Sequence, residues 1–497
     1  MTQRISRRSF LVSASTLLMA GPVLAGPPAL SLRPHLRPER ALSGASVGAQ
    51  TLISKARLTG QVAFAVADAS SGQMLETHAA ATGLPPASVT KTVTALYALE
   101  HLGANHRFRT RLIATGPVTG GIVQGDLVLA GGGDPTLDTD ALAKLAARLK
   151  QSGVKGITGR FLVWGGALPY ARQIDPDQPE HVGYNPALSG LSLNFNRVHF
   201  EWKREGQSWG VTMDARSDRY RPEVRMATMA VVARDLPTYT YRDKAGIESW
   251  TVASAALGKG GSRWLPVRRP EIYAGQVFRS LARAHGIALP EEAATGKAPS
   301  GTTLLAHESD PLREILRLML KYSTNLTAEL VGQAATQART GKAADLRGSA
   351  QEMSRWAAQR LGMTQTRLVD HSGLGDASRI SAQDMTRALV SAHQNGPLKA
   401  MLKGIPLRDA RGKVQKNHPI TVRAKTGTLN FVSALAGYIS TPGGRDLAFA
   451  IFTADNPRRE ALSVAERERP KGGRHWNRIS KELQQALIER WGTEYAG

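Results

Sequence analysis

Three short groups of residues carry side chains that could act together on one substrate: Ser88-Val89-Thr90-Lys91, Ser323-Thr324-Asn325 and Lys425-Thr426-Gly427. Between them they offer hydroxyls, amines and a carboxamide, the groups of nucleophilic and proton-transfer chemistry. Each is weak alone. A chain this long is expected to hold a Ser-x-x-Lys about twice by chance, and a second one stands at Ser152-Gly153-Val154-Lys155. A rival Ser-x-Asn stands at Ser192-Leu193-Asn194. Context separates them. Ser88 opens a run in which Val89, Val93, Leu96, Leu99 and Leu102 share one side of a helix. At a helix start an attacking oxygen meets the positive end of the macrodipole and free backbone N–H groups. Lys91 follows one turn later on the same face, so the two side chains meet. Ser152 is flanked by Gly153 and Gly156, where no helix is expected. Ser192-Leu193-Asn194 lies in the alternating run LSLNF and reads as strand. Ser323 follows an apolar helical run and can project from a corner between two helices. Lys425-Thr426-Gly427 opens a strand, where Gly427 would let a substrate backbone approach closely.

The elements that must position these residues form an interrupted α/β pattern. Residues 60–68 alternate Val62, Phe64 and Val66 as a strand, and a second strand follows the turn Ser70-Ser71-Gly72-Gln73. Pro85-Pro86 breaks the chain before the helix at 88–102. Residues 108–300 turn glycine-rich, with short strands. Helical patterns return at 311–336 and 345–361, and strands at 432–441 and 446–454 flank the turn Pro442-Gly443-Gly444. A last helix at 477–491 spaces Ile479, Leu483, Leu487 and Trp491 by four. That stripe reads as packing against a sheet, with basic membrane anchoring as the alternative. The pattern predicts an α/β (α+β) fold. An antiparallel sheet is built from both chain ends, with helices on its faces and mostly-β subdomains inserted. The core domain is expected from 46–107 and 300–497, and the insertion from 108–299.

The chain has 497 residues, 42% of them hydrophobic, enough for sizeable cores. It has no cysteine. That excludes a thiol nucleophile, a disulfide scaffold, a thiolate zinc site and an iron–sulfur cluster. The histidines show no metal-ligand spacing, and GGGDPTL at 131–137 reads as a glycine turn because no Gly-Lys-Ser/Thr follows. No metal or cofactor is expected. The formal charge of +24 suggests an acidic partner. Residues 1–25 read as an export signal, and Ser6-Arg7-Arg8-Ser9-Phe10-Leu11 resembles a twin-arginine signal. Residues 26–45 read as a flexible leader. Export to the periplasm makes nucleic acid an unsuitable partner and turns the charge toward anionic envelope polymers and lipid surfaces.

The three motifs are similar to those of serine penicillin-binding proteins and class A β-lactamases. The chain resembles the D-alanyl-D-alanine carboxypeptidase/endopeptidase family, the class C low-molecular-mass penicillin-binding proteins. In that family whole subdomains lie between the first two motifs, here at positions 88 and 323. Further matches are GGGDPTL at 131–137, GYNPALSGLSLNFN at 183–196, SDPLREILRLMLKYSTNLTAEL at 309–330, HSGLGDASRIS at 371–381 and AKTGTLNFVSALAGY at 424–438. One departure stands at 161–166, FLVWGG, where family members often carry acids thought to meet the diamino acid of the stem peptide. Trp164 there is assigned to the core, and His371 to a loop beside the cleft.

The resemblance implies a penicillin-binding fold and roles for the motif residues. Ser88 would be the nucleophile and Lys91 its base, kept neutral by Lys425 and partial burial. Ser323 would relay a proton to the leaving amine, and Asn325 would orient Lys91 and the substrate amide. Lys425 with the hydroxyls of Thr426 and Thr428 would bind the terminal carboxylate. Gly427 belongs to the same strand, and the N–H groups of Ser88 and Thr428 would form the oxyanion hole. Peptidoglycan stem peptides and β-lactams are the implied ligands. Two alternatives stand beside this: a β-lactamase, and a non-catalytic peptidoglycan-binding protein. Against the first, a Glu-x-x-Leu-Asn segment is absent and position 324 is Thr rather than Asp. Against the second, the motif set is complete.

Overall fold

The structure is a computed structural model and describes residues 47–409, 411–464, 466–468 and 470–496. The signal and the leader lie outside the described residues. Strands β1 (Gln61–Asp68), β2 (Met74–His78), β3 (Lys403–Gly404), β4 (Thr421–Leu429), β5 (Val432–Ser440) and β6 (Asp446–Ala454) form one sheet in the order β3-β4-β5-β6-β1-β2. Every pairing in it is antiparallel. Both chain ends therefore build the sheet, with β1 beside β6.

The two faces of the sheet differ in composition. One face is mostly alanine, with Ala63, Ala65, Ala434, Ala436, Ala448 and Ala450, and also carries Val432, Tyr438 and Phe452. The other carries Val62, Phe64, Leu435, Ile439, Phe449 and Ile451. Period-two alternation along each strand sorts them. On the alanine-rich face, α1 (Thr90–Leu102), α2 (Leu312–Tyr322), α3 (Asn325–Thr340), α4 (Leu346–Leu361) and α5 (Ala382–Asn395) contribute to the same core. The other face is covered by α6 (Gly473–Glu494), which buries Trp476, Leu483, Leu487, Ile488 and Trp491. This helix packs on the sheet as its stripe predicts. No helix among the described residues is long and apolar enough to cross a membrane.

The residues between α1 and α2 make a second core around a five-stranded sheet. Its ends are tied where Arg109–Ala114 pairs antiparallel with Thr302–Glu308. This region also contains helices Thr139–Gln151 and Pro270–Ala284, so it is less purely β than the sequence reading expects. Asp138 caps the first of them by accepting from the Ala141 N–H. Leu168, Ile174 and Leu188 from this region pack on Leu326 and Leu330 of α3 and on Leu374.

The helical pattern at 311–336 is two helices with the expected corner at Ser323, which adopts φ 61° and ψ 37°. One local expectation is corrected. The run LSLNF is not a strand: Asn194, Phe195 and Asn196 all have positive φ. Buried hydrogen bonds fix this turn, with Asn194 Oδ1 accepting from the Thr139 N–H and Asn196 Nδ2 donating to the Ala187 carbonyl. Asparagine tolerates the left-handed region better than other residues with a side chain.

Candidate active site

A single 3-10 turn, Ala87–Val89, presents Ser88 at the start of α1. α1 is buried nearly all round, and its first turn holds Lys91 with no exposed surface. Strand β4 lies against this turn at Gly427. A Cβ there would stand 2.7 Å from the Pro86 carbonyl oxygen and 3.0 Å from the Ala87 Cβ. Glycine at this position thus lets the strand meet the turn that carries Ser88.

Lys91 Nζ has three oxygen neighbours. It lies 3.0 Å from Ser88 Oγ, 2.8 Å from Asn325 Oδ1 and 2.7 Å from the Ser372 carbonyl. The last two can only accept. A neutral amine has two N–H bonds and one lone pair. Both N–H bonds are claimed by the two carbonyl-type oxygens, which leaves the lone pair for the hydroxyl of Ser88. Burial pushes Lys91 down to about 8, against the opposite pull of Glu329 and Asp370. The burial is complete where the sequence reading supposed it partial.

Ser323 sits where α2 ends. Its left-handed backbone and the bond from its N–H to the Met319 carbonyl, 2.7 Å, throw the side chain off the helix. There Ser323 Oγ accepts from Lys425 Nζ at 2.9 Å. Lys425 also donates to the Thr426 carbonyl at 2.7 Å. Its ammonium is held well below the ordinary lysine range by burial first, then by repulsion from Lys91 and Lys403. Asn325 opens α3, and its amide faces two ways. Oδ1 receives Lys91, while Nδ2 donates to the main-chain carbonyl of Tyr184 at 3.0 Å.

The structure thus joins Ser88, Lys91 and Asn325 in one set of contacts and Ser323 with Lys425 in another, with the two lysines near enough to repel each other. Thr426 and Thr428 alternate with Lys425 and Gly427 along β4 and line a neighbouring cleft of about 1050 Å³ with Lys403, Arg408, Arg474 and Lys481. The rival motifs stay apart. Ser152 closes a helix and donates to the Leu149 carbonyl at 2.7 Å. Ser192 donates to the Ser189 carbonyl at 2.9 Å inside the second core.

Sequence reasoning missed the layer beneath Lys91. Glu329 stands one turn after Asn325 on α3 and is wholly buried. Its oxygens accept the N–H groups of His371 and Ser372, each at 2.9 Å. Asp370 accepts from Gly373 at 2.8 Å and Gly375 at 2.6 Å. The available signal was an acid four residues after Asn325 in the apolar run LTAELV, which a helix places on the same face. His371 is a buried packing residue. Its Nε2 lies 2.7 Å from Ser349 Oγ, and burial pushes the ring down to about 3, so it stays neutral. Trp164 is half-buried against a small apolar cluster.

The chain is similar to known proteins over most of its length. The chain is 28% identical over 439 residues to a D-alanyl-D-alanine carboxypeptidase of an Actinomadura species, covering 81% of this chain and 79% of that one. It is 23% identical over 437 residues to the D-alanyl-D-alanine carboxypeptidase DacB of Haemophilus influenzae, covering 82% and 88%. The crystal structure of penicillin-binding protein 4 from Haemophilus influenzae superposes with a TM-score of 0.72 at 20% identity, over 89% of this chain and 99% of that one. The same protein complexed with a β-lactam gives 0.67. These solved structures share the fold of this chain. The sequence model of the D-Ala-D-Ala carboxypeptidase 3 (S13) family matches residues 48–469. The chain belongs to that family of serine peptidases.

Proposed function

We propose that this protein hydrolyses the D-Ala-D-Ala ends of peptidoglycan stem peptides through an acyl-enzyme on Ser88, and that β-lactams acylate the same oxygen. The observation that carries the reading is the disposition of Lys91, whose Nζ lies 3.0 Å from Ser88 Oγ with two acceptor-only oxygens for its N–H bonds. Lys91 takes the Ser88 proton as Oγ attacks the penultimate carbonyl carbon. The tetrahedral oxyanion collapses, the C–N bond breaks, and the leaving amine takes, through Ser323, the proton that Lys91 removed. Water then attacks the ester and gives a proton to Lys91, which returns it to Ser88 Oγ as the ester C–O bond breaks.

Support for the oxyanion hole comes from strand register. Ile405 N–H donates to the Val422 carbonyl at 2.8 Å, so Val422 points its main chain toward the β3 edge. With a period of two, Thr426 and Thr428 point theirs to the same edge, beyond the two residues that β3 covers. A substrate strand can pair there, with the Thr428 N–H and the Ser88 N–H on the oxyanion. One such donor is typically worth about 3 kcal/mol. Lys425, Thr426 and Thr428 would hold the terminal carboxylate. The same acyl chemistry serves cross-link cleavage when the leaving amine belongs to a second stem peptide.

The domain reading is retained as a proposal: a peptidase domain of 46–107 and 300–497, with 108–299 inserted. So is a periplasmic site of action after twin-arginine export, where the positive charge would favour anionic envelope polymers. Binding to isolated sacculi should then weaken as salt rises. The central test is labelling with a fluorescent penicillin and mass mapping of the adduct. Label on the Ser88 peptide is expected. Undiminished label on Ser88→Ala, or none on the wild type, overturns the proposal. Masses of products from purified cross-linked muropeptides report which leaving amine is used.

A further inference from the structure

The two oxygens that claim the Lys91 N–H bonds are both set from one turn of α3. Asn325 supplies the first directly. The second, the Ser372 carbonyl, belongs to a loop gripped by carboxylates. Glu329 accepts the N–H groups of the consecutive residues His371 and Ser372. Asp370 takes the next, that of Gly373. The loop is also pressed against the Ser88 turn: a Cβ on Gly373, which has φ 75°, would lie 1.8 Å from the Ala87 carbonyl oxygen. Three successive amides are therefore anchored on acids, and the Ser372 carbonyl, which shares a peptide unit with the third of them, points at Lys91.

A buried carboxylate is a costly anchor unless its oxygens are engaged. Here both are. Glutamine could satisfy only one of the two amides, because its NH2 would face the other N–H group. The groups that face Lys91 are Glu329 from α3, Asp370 from the loop and Lys425 from β4. Asp175 of the inserted region adds its field to Asp370, and the ring of His371 is neutral. Burial and repulsion from Asp370 raise Glu329, while the two amides and Lys91, which favour its carboxylate form, oppose the rise.

We propose that Glu329 is a positioning residue for proton transfer from Ser88: by holding the His371 and Ser372 amides it keeps the Ser372 carbonyl on Lys91, and so aims the amine's lone pair at the hydroxyl. The proposal rests on Lys91 being the base for Ser88. Nothing in the geometry brings Glu329 to the substrate.

The test is the pH profile of acylation by a fluorescent penicillin, wild type against Glu329→Gln, with thermal unfolding of both recorded. Label on wild-type Ser88, absent from Ser88→Ala, first establishes the acyl-enzyme; failure there sinks the parent reading and not this one alone. With it in place, Glu329→Gln is expected to lower the high-pH plateau about tenfold or more. Its acid limb should move to lower pH by about half a unit, because a carboxylate that stabilised the Lys91 ammonium is gone. A plateau equal to the wild type, or a fall with an unmoved limb, overturns the proposal. Should Glu329→Gln not fold, Glu329→Asp withdraws the carboxylate from both amides and from Lys91, and is judged by the same two readings.

Discussion

Asn325 and Tyr184 meet through a side-chain amide and a main-chain carbonyl, 3.0 Å apart. The contact joins the region between α1 and α2 to the motif residues, because it fixes which end of the Asn325 amide faces Lys91. With Nδ2 committed to Tyr184, only Oδ1 is left for the amine.

That commitment makes two Asn325 variants differ in kind. Asn325→Ala removes an acceptor from Lys91 and should slow acylation about 100-fold with little change in its pH limb. Asn325→Asp places an anion beside Lys91 and sets a carboxylate oxygen against the Tyr184 carbonyl. An anion favours the ammonium, so the acid limb should move to higher pH. Tyr184→Ala keeps the carbonyl and should acylate within about twofold of the wild type. Stopped-flow acylation across pH checks all three, and identical profiles for the Ala and Asp variants of Asn325 would refute the argument.

Acylation should rise with pH through about 8 in the wild type, since burial has brought Lys91 to that value and only its neutral form accepts a proton. The sign is fixed by the role: below that pH the amine is charged and has no lone pair. Lys91→Arg keeps a charge that never leaves at these pH values, and should lose at least about 1000-fold at every pH. A wild-type rate that is flat between about pH 6 and pH 9 would exclude Lys91 as the base.

The five motif side chains were legible because each sits in a short segment whose own pattern gives its geometry: Ser88 and Lys91 one helical turn apart, Ser323 after an apolar stripe, Lys425 on an alternating strand. The sheet was legible for the same reason, its alternation being local. What the sequence hides is the partner that acts through the main chain. The Ser372 and Tyr184 carbonyls carry no residue-type signal, and Glu329 looks like one more helical acid until its burial is known. The turn at Asn194–Asn196 escaped because apolar alternation was read without weighing two asparagines able to bond buried backbone groups.

Trp491 should matter to stability and not to chemistry. It has no exposed surface, its ring meets Phe64 edge-on at 5.2 Å, and its Nε1 donates to Glu76 at 3.0 Å. Trp491→Ala should cost about 3–5 kcal/mol, read as a lower denaturant midpoint at unchanged slope. Acylation per folded molecule should stay within about twofold. Because the apolar residues of α6 face the sheet, sedimentation with anionic vesicles should not change; a loss of vesicle binding in this variant would point instead to an anchoring helix.

Gly427→Ala tests whether β4 must touch the Ser88 turn. The new methyl would enter contact at 2.7 Å with the Pro86 carbonyl oxygen, a backbone atom that cannot swing aside. Either the strand or the turn has to move by a few tenths of an ångström, and overpacking of this kind costs about 1–3 kcal/mol. The displaced pair is Ser88 on the turn and Lys425 with the Thr428 N–H on the strand, so the acylating geometry should suffer beyond the loss of stability. Acylation is expected to fall about 100-fold, in protein shown by its unfolding curve to be native at the assay temperature. Near-normal acylation with unaltered stability would mean that strand and turn separate freely, and that glycine is there for the substrate after all.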